Sequence, residues 1–151
     1  MIICRGMTIA DAPSVFAMLS DNLDGAFSLD VIEYFIMMWP EGQFVAEDVT
    51  GRIVGALCGN RMSETRASIP LFAVSQKYRN QGIGTRLYES FRTRCHMSGF
   101  TEIQLELRTT NKDAFRLYTR WGFSVFEEVP SLYGPGQNGF RMLVRIGRVS
   151  S

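Results

Sequence analysis

The run Arg79-Asn-Gln-Gly-Ile-Gly84 constrains this chain more than any other feature. It follows an apolar strand pattern, Ala67–Val74, and opens a helical one. In that helix Leu87, Tyr88, Phe91 and Cys95 share a face, and Gly99 ends the pattern. Glycines between a strand and a helix let the backbone approach a ligand closely. Free N–H groups and the positive end of the helix dipole then favour an anion, phosphate above all. The spacing is R-x-x-G-x-G. It is not the dinucleotide pattern G-x-G-x-x-G, and no G-K-[S/T] follows, so a P-loop is excluded. A plain connecting turn is the alternative use of such a loop.

The following elements narrow the choice. Glu102–Leu107 reads as a strand, Lys112–Trp121 as a helix capped by Asn111, and Gly122-Phe123 leads into a strand at Val125–Val129. A strand-helix-strand unit implies a parallel pair. Upstream, Ile2–Thr8 is a strand pattern. Asp11 is placed to cap a helix that has Pro13 in its first turn and ends near Asn22. Ser28 is placed to cap a second helix, which stops before Pro40. Strands at Phe44–Asp48 and Ile53–Met62 flank the hairpin signal Val49-Thr-Gly-Arg52, and Phe140–Ile146 is the last strand. The sum is an α/β (α+β) domain over residues 1–151: a mixed sheet with helices on both faces.

Along Glu102–Leu107, Leu105 and Leu107 point one way, and Gln104, Glu106 and Arg108 the other. An interior strand covered on both faces is apolar throughout. The polar set therefore implies a sheet edge or a face open to a cleft. Ala114, Leu117 and Tyr118 fall on one flank of the next helix.

Composition removes several classes of function. Sixteen basic residues face fifteen acidic ones without a block of either sign, so no basic stripe for nucleic acid is visible. The most apolar stretch, Val31–Trp39, carries Glu33 and is too short to span a bilayer. Its Phe35–Trp39 portion reads as core. No signal-peptide pattern opens the chain, so a soluble, cytoplasmic protein without a membrane partner is expected. Cys4, Cys58 and Cys95 show no C-x-x-C spacing and His96 is the sole histidine, which disfavours a metal centre or a histidine-based triad.

The order strand, R-x-x-G-x-G, helix, strand, N-x-x-A-x-x-L-Y, G-F resembles the GNAT superfamily of N-acetyltransferases. The resemblance implies a seven-stranded sheet splayed between strands 4 and 5, with acetyl-CoA as cofactor in the opening and no metal. It assigns the strand Phe72, Ala73 and Val74 to the pantetheine arm, with backbone bonds from Phe72 and Val74. It assigns Arg79, Asn80, Gln81, Gly82, Ile83, Gly84 and Thr85 to the pyrophosphate, and Asn111 and Tyr118 to the thioester end. Glu106, five residues before Asn111, becomes the general base, with burial raising its pKa. Tyr118 becomes the acid that meets the departing sulfur, and backbone N–H groups near Val74 polarise the carbonyl. A strand glutamate paired with an arginine, and a core tyrosine, are the plain alternatives for these two side chains.

Further segments resemble the branch that acetylates protein N-termini, such as the bacterial ribosomal-protein and archaeal Nα-acetyltransferases. These are Asn22-Leu-Asp24, Trp39-Pro40, Phe44-Val-Ala-Glu47, Gly51–Gly55 and Tyr133–Met142. In that branch the loops corresponding to Leu23–Phe27 and Ser131–Asn138 clamp a peptide, which makes Leu23, Phe27, Tyr34 and Tyr133 candidate walls for a protein or peptide acceptor. Gly25 stands where many members carry glutamate, and Gln137-Asn-Gly-Phe140 where many carry E-D-A-Y. A small amine, a polyamine or a lysine side chain is therefore the alternative acceptor, and an acetyl-CoA-binding module without turnover a third reading. Monomer and homodimer both stay open.

Overall fold

The computed structural model describes residues 1–25 and 27–147. Its elements are β1 (Ile3–Gly6), α1 (Ala12–Asn22), α2 (Leu29–Met38), β2 (Gln43–Glu47), β3 (Ile53–Arg61), β4 (Arg66–Val74), α3 (Ile83–Met97), β5 (Glu102–Arg108), α4 (Lys112–Arg120), β6 (Ser124–Val129) and β7 (Gly139–Arg145). Seven strands form one sheet in the order β1-β2-β3-β4-β5-β7-β6, with β4 and β5 parallel and every other pair antiparallel. Alternating side chains build a core on each face. Val15, Leu19, Ile32 and Ile36 of α1 and α2 pack with Val45, Ala56, Cys58 and Ala73. On the other face Leu87, Phe91 and Cys95 of α3 pack with Leu57, Ile103, Leu105 and Met142, and α4 adds Ala114 and Tyr118.

The middle of the sheet opens. β4 pairs with β5 only from Arg66↔Glu102 to Ile69↔Leu105. The next residue, Pro70, has no N–H to donate. On the other side of β4 the ladder passes from Asn60↔Ser68 to Cys58↔Leu71, so Ile69 and Pro70 together oppose Gly59. This bulge reverses the alternation: Ala67 and Ile69 face the same core as Phe72 and Val74. A bulge bends its strand and ends local pairing. β5, by contrast, stays paired with β7 along its whole length. The splay expected between strands 4 and 5 is thus present, beginning at Pro70.

Gly59 is pinned opposite this bulge. The buried Gln43 side chain donates to Gly59 O and Trp39 O at 2.8 and 2.9 Å and accepts from Gly59 N–H at 2.9 Å. A Cβ on Gly59 would lie 2.3 Å from the Phe91 ring and 2.5 Å from Gly42 O. Gly59→Ala is therefore expected to destabilise the fold by ~1–3 kcal/mol through overpacking, measured as a lowered urea midpoint.

Several local expectations are corrected. The first strand is Ile3–Gly6 and not Ile2–Thr8, because Thr8 and Asp11 form a capping box around a 3-10 turn at Ile9–Asp11. Asp11 makes no side-chain cap to α1. Its carboxylate takes the Thr8 N–H at 2.8 Å and the Arg5 guanidinium at 2.8 and 2.9 Å. The Arg5 hydrogen bonds hold it well below the usual carboxylate range, at about 2. Ser28 has N-cap backbone geometry but no side-chain cap bond. Of the run expected in the core, Ile36 and Trp39 are buried whereas Met37 and Met38 are exposed, since a helix can turn only one stripe inward. Asn111 caps α4 as expected, accepting from Ala114 N–H at 3.1 Å. Asp48 closes the β2–β3 turn by accepting from the N–H groups of Thr50 and Arg52. Among the described residues, no helix is long and apolar enough to cross a membrane.

Candidate active site

The loop ahead of α3 presents free donors. Gly82 is the N-cap with φ 78°, Asn80 is also left-handed at φ 63°, and no side chain caps the helix. Arg79 N–H donates to Gln76 O and Arg86 N–H to Gly82 O. Among the described residues, no loop or side-chain acceptor takes the N–H groups of Asn80 to Thr85. Arg79–Gly82 are exposed. A Cβ on Gly82 would meet nothing within 4 Å, whereas one on Gly84 would lie 2.9 Å from the Phe72 ring. The helix thus rests on β4 while its head faces open space. Unspent amides at a helix N-terminus suit a diphosphate. The half of β4 from Pro70 to Val74 lacks a strand partner on its β5 side, leaving backbone groups for the amides of a pantetheine arm. These features fit coenzyme A.

The Arg79 side chain shapes this loop. Its Nε donates to Val74 O at 3.0 Å and its Nη2 to Asn22 Oδ1 at 3.2 Å. Asn22 Oδ1 also accepts from Gln76 N–H at 3.2 Å, tying the end of α1 to the loop. The family resemblance assigns the Val74 backbone to the cofactor alone. In the fold its carbonyl already accepts one bond.

An aromatic wall closes the α4 side of the opening. The Tyr118 ring lies 6.5 Å from Phe72, 5.4 Å from Trp121 and 6.2 Å from Phe123. Trp121 stacks on Tyr88 at 4.2 Å, and its indole N–H donates to Thr85 Oγ1 at 3.3 Å. Burial, with a smaller contribution from Tyr133, pushes the Tyr118 phenol above its ordinary range. It is therefore a neutral O–H donor at physiological pH. Sequence reading missed Trp121, although its i+3 spacing from Tyr118 put both rings on one flank. Asn111 stands exposed at the head of α4.

The polar face of β5 borders a groove of about 540 Å³, lined by Ser68, Pro70, Gln104, Glu106, Tyr133 and Arg141 among others. β5 is interior, so the polar alternation marks a cleft and not an edge. Glu106 opens onto this groove, but its side chain is 37% exposed and its Oε2 accepts from Arg141 Nε. Arg141 Nη1 also donates to Glu127 at 2.8 Å. The burial expected for Glu106 is absent: the strand glutamate opens onto the groove and pairs there with an arginine. Arg141 and Glu127 were not singled out from sequence, because the register Glu106↔Arg141 exists only once β7 lies beside β5.

The four candidate acceptor walls separate. Tyr133 lines the groove with the Arg108 guanidinium 4.6 Å from its ring centroid. Its phenol is pushed up to about 12, by burial first and then by Glu106. Leu23 is the C-cap of α1, half-buried against the α1–α2 core. Phe27 meets Phe16 edge-on at 5.8 Å and belongs to that same core. Tyr34 is 54% exposed on α2, touches Phe35, and stands outside the groove lining.

Residues 12–123 match the family described as Acetyltransferase (GNAT) family. The chain belongs to the GNAT family. N-alpha-acetyltransferase 30 of Schizosaccharomyces pombe is 32% identical over 131 residues, covering 84% of this chain and 87% of that protein. N-alpha-acetyltransferase 30 of Homo sapiens is 31% identical over 133 residues, covering 86% of this chain but 37% of that longer protein. Ard1 from Thermoplasma volcanium superposes with a TM-score of 0.91 at 29% identity, over 97% of this chain and 99% of its own. This GNAT protein is an acetyl-CoA-dependent N-acetyltransferase.

Proposed function

We propose that the enzyme acetylates the N-terminal α-amine of a protein or peptide. One observation carries this reading. The groove on the polar face of β5 runs past Tyr133 to the point where β4 and β5 part, at Pro70 and Glu106. An extended chain end fits such a path, and similarity to proteins named N-alpha-acetyltransferase supports it. The three free thiols among the described residues suit the reducing cytoplasm, where the enzyme is placed by the same reading.

Acetyl-CoA supplies an activated thioester acyl group. The amides of Gly82 to Thr85 would hold its diphosphate end, and the unpaired half of β4 would order its arm. Glu106 takes a proton from the acceptor, directly or through one water. An α-amine titrates near ~7.7–8.0 and is partly neutral already, so a modest base is enough. With acetyl-CoA bound, the amine nitrogen would bond to the acetyl carbon as the C–S bond breaks, and Tyr118 would be the group that protonates the sulfur. No nucleophilic side chain is required, and the buried cysteines take no part.

Peptides with varied first residues, each beside an N-terminally blocked copy, test the acceptor by mass spectrometry. Acetylation of the free forms alone is expected. Turnover confined to blocked lysine peptides or to polyamines would overturn the assignment, and binding without turnover would mark a non-catalytic module. Glu106→Gln is expected to lower kcat by ~10²-fold while leaving CoA affinity unchanged in calorimetry. Equal loss of both would remove its role as base.

A further inference from the structure

Arg108 ends β5, two residues beyond Glu106 and on the same face. Three groups from two loops converge on its guanidinium. Nη2 lies 3.5 Å from Asp24 Oδ2 in the loop after α1. Nη1 donates to Gln137 Oε1 in the loop between β6 and β7. The plane lies over the Tyr133 ring of that second loop, 4.6 Å from its centroid. The Asp24 side chain is 84% exposed and that of Arg108 is 23% exposed, so the pair joins an exposed loop carboxylate to a cation held on the sheet.

The second loop is built around this contact. Tyr133 N–H donates to Gln137 O at 3.0 Å, and Gln137 N–H to Gly134 O at 2.9 Å. Thr109 N–H, next to Arg108, donates to Asn138 O at 3.0 Å. An isolated exposed ion pair contributes little. A planar fork with five donors can instead lie flat on a ring and donate to several partners in its plane, a geometry that a lysine ammonium does not reproduce.

We propose that Arg108 is a positioning residue that joins the two loops across the mouth of the groove, so that the first residues of an acceptor are held from both sides. The inference rests on the acceptor reading above and extends it.

The test uses Arg108→Met and Arg108→Lys in the full chain. With a peptide whose free N-terminus the enzyme acetylates, Arg108→Met is expected to raise the peptide KM at least tenfold while CoA affinity changes less than twofold. Arg108→Lys should recover only part of the loss. Asp24→Asn should raise KM in the native background and add nothing in Arg108→Met. Hydrogen exchange of the Tyr133 and Gln137 amides, followed without acceptor, should quicken at least tenfold in Arg108→Met. That readout stands even if the acceptor is not a peptide, and so separates failure here from failure of the proposed function. Unchanged exchange, additive effects of the two substitutions, or a matching loss of CoA affinity would each overturn the proposal.

Discussion

Tyr118→Phe is expected to lower kcat by ~10²-fold, within the range for loss of one acid–base group, without altering the CoA dissociation constant. The substitution removes one oxygen and keeps the ring, which stays packed against Phe72, Trp121 and Phe123. Folding is therefore expected to be nearly unaffected, and a lost turnover reports the missing proton donor. Burial raises the Tyr118 phenol. A group with a raised pKa keeps its proton below that value, so Tyr118 remains a donor from about pH 7 to 9, below even the unperturbed tyrosine value of ~10. Any loss of kcat in that window must come from another group. Steady-state kinetics with saturating acetyl-CoA, beside calorimetry with CoA, check the result. An unchanged kcat would make Tyr118 only a wall of the opening.

Gly82→Val should weaken CoA binding by ~100-fold or more, close to abolishing activity at ordinary cofactor levels. Gly82 sits at φ 78°, where a β-branched residue is strained by ~1–3 kcal/mol. To relieve that strain the backbone must rotate, turning the amides of Ile83 and Gly84 away from a common point. The new side chain would also occupy the open space in front of the helix. No protein atom lies within 4 Å of the added Cβ, so the chain still folds, with a melting temperature lowered by roughly 2–12 °C, as ~1–3 kcal/mol of strain costs in a domain of this size. Gly84 makes a useful contrast, because a Cβ there strikes the Phe72 ring at 2.9 Å and disturbs packing. Calorimetric affinity equal to that of the native chain would contradict the phosphate cradle.

Local patterns in the sequence determined much of this protein. The period of α3, the Asn111 cap, the hairpin at Asp48–Arg52 and the R-x-x-G-x-G spacing each depend on residues within one or two turns, where backbone sterics and short-range hydrogen bonds decide. The alternation Gln104, Glu106, Arg108 narrowed this strand to a sheet edge or a face open to a cleft, and the strand order then excluded the edge. Tertiary structure alone decided where the sheet opens and what each polar group meets. The bulge at Ile69-Pro70 exists only against Gly59 of β3. Arg141 reaches Glu106 only because β7 inserts between β5 and β6. Arg108 gathers Asp24 and Gln137 from loops far apart in the chain. Such pairings depend on strand order and register, which are set by the burial of two whole faces and leave no mark in any short window of sequence.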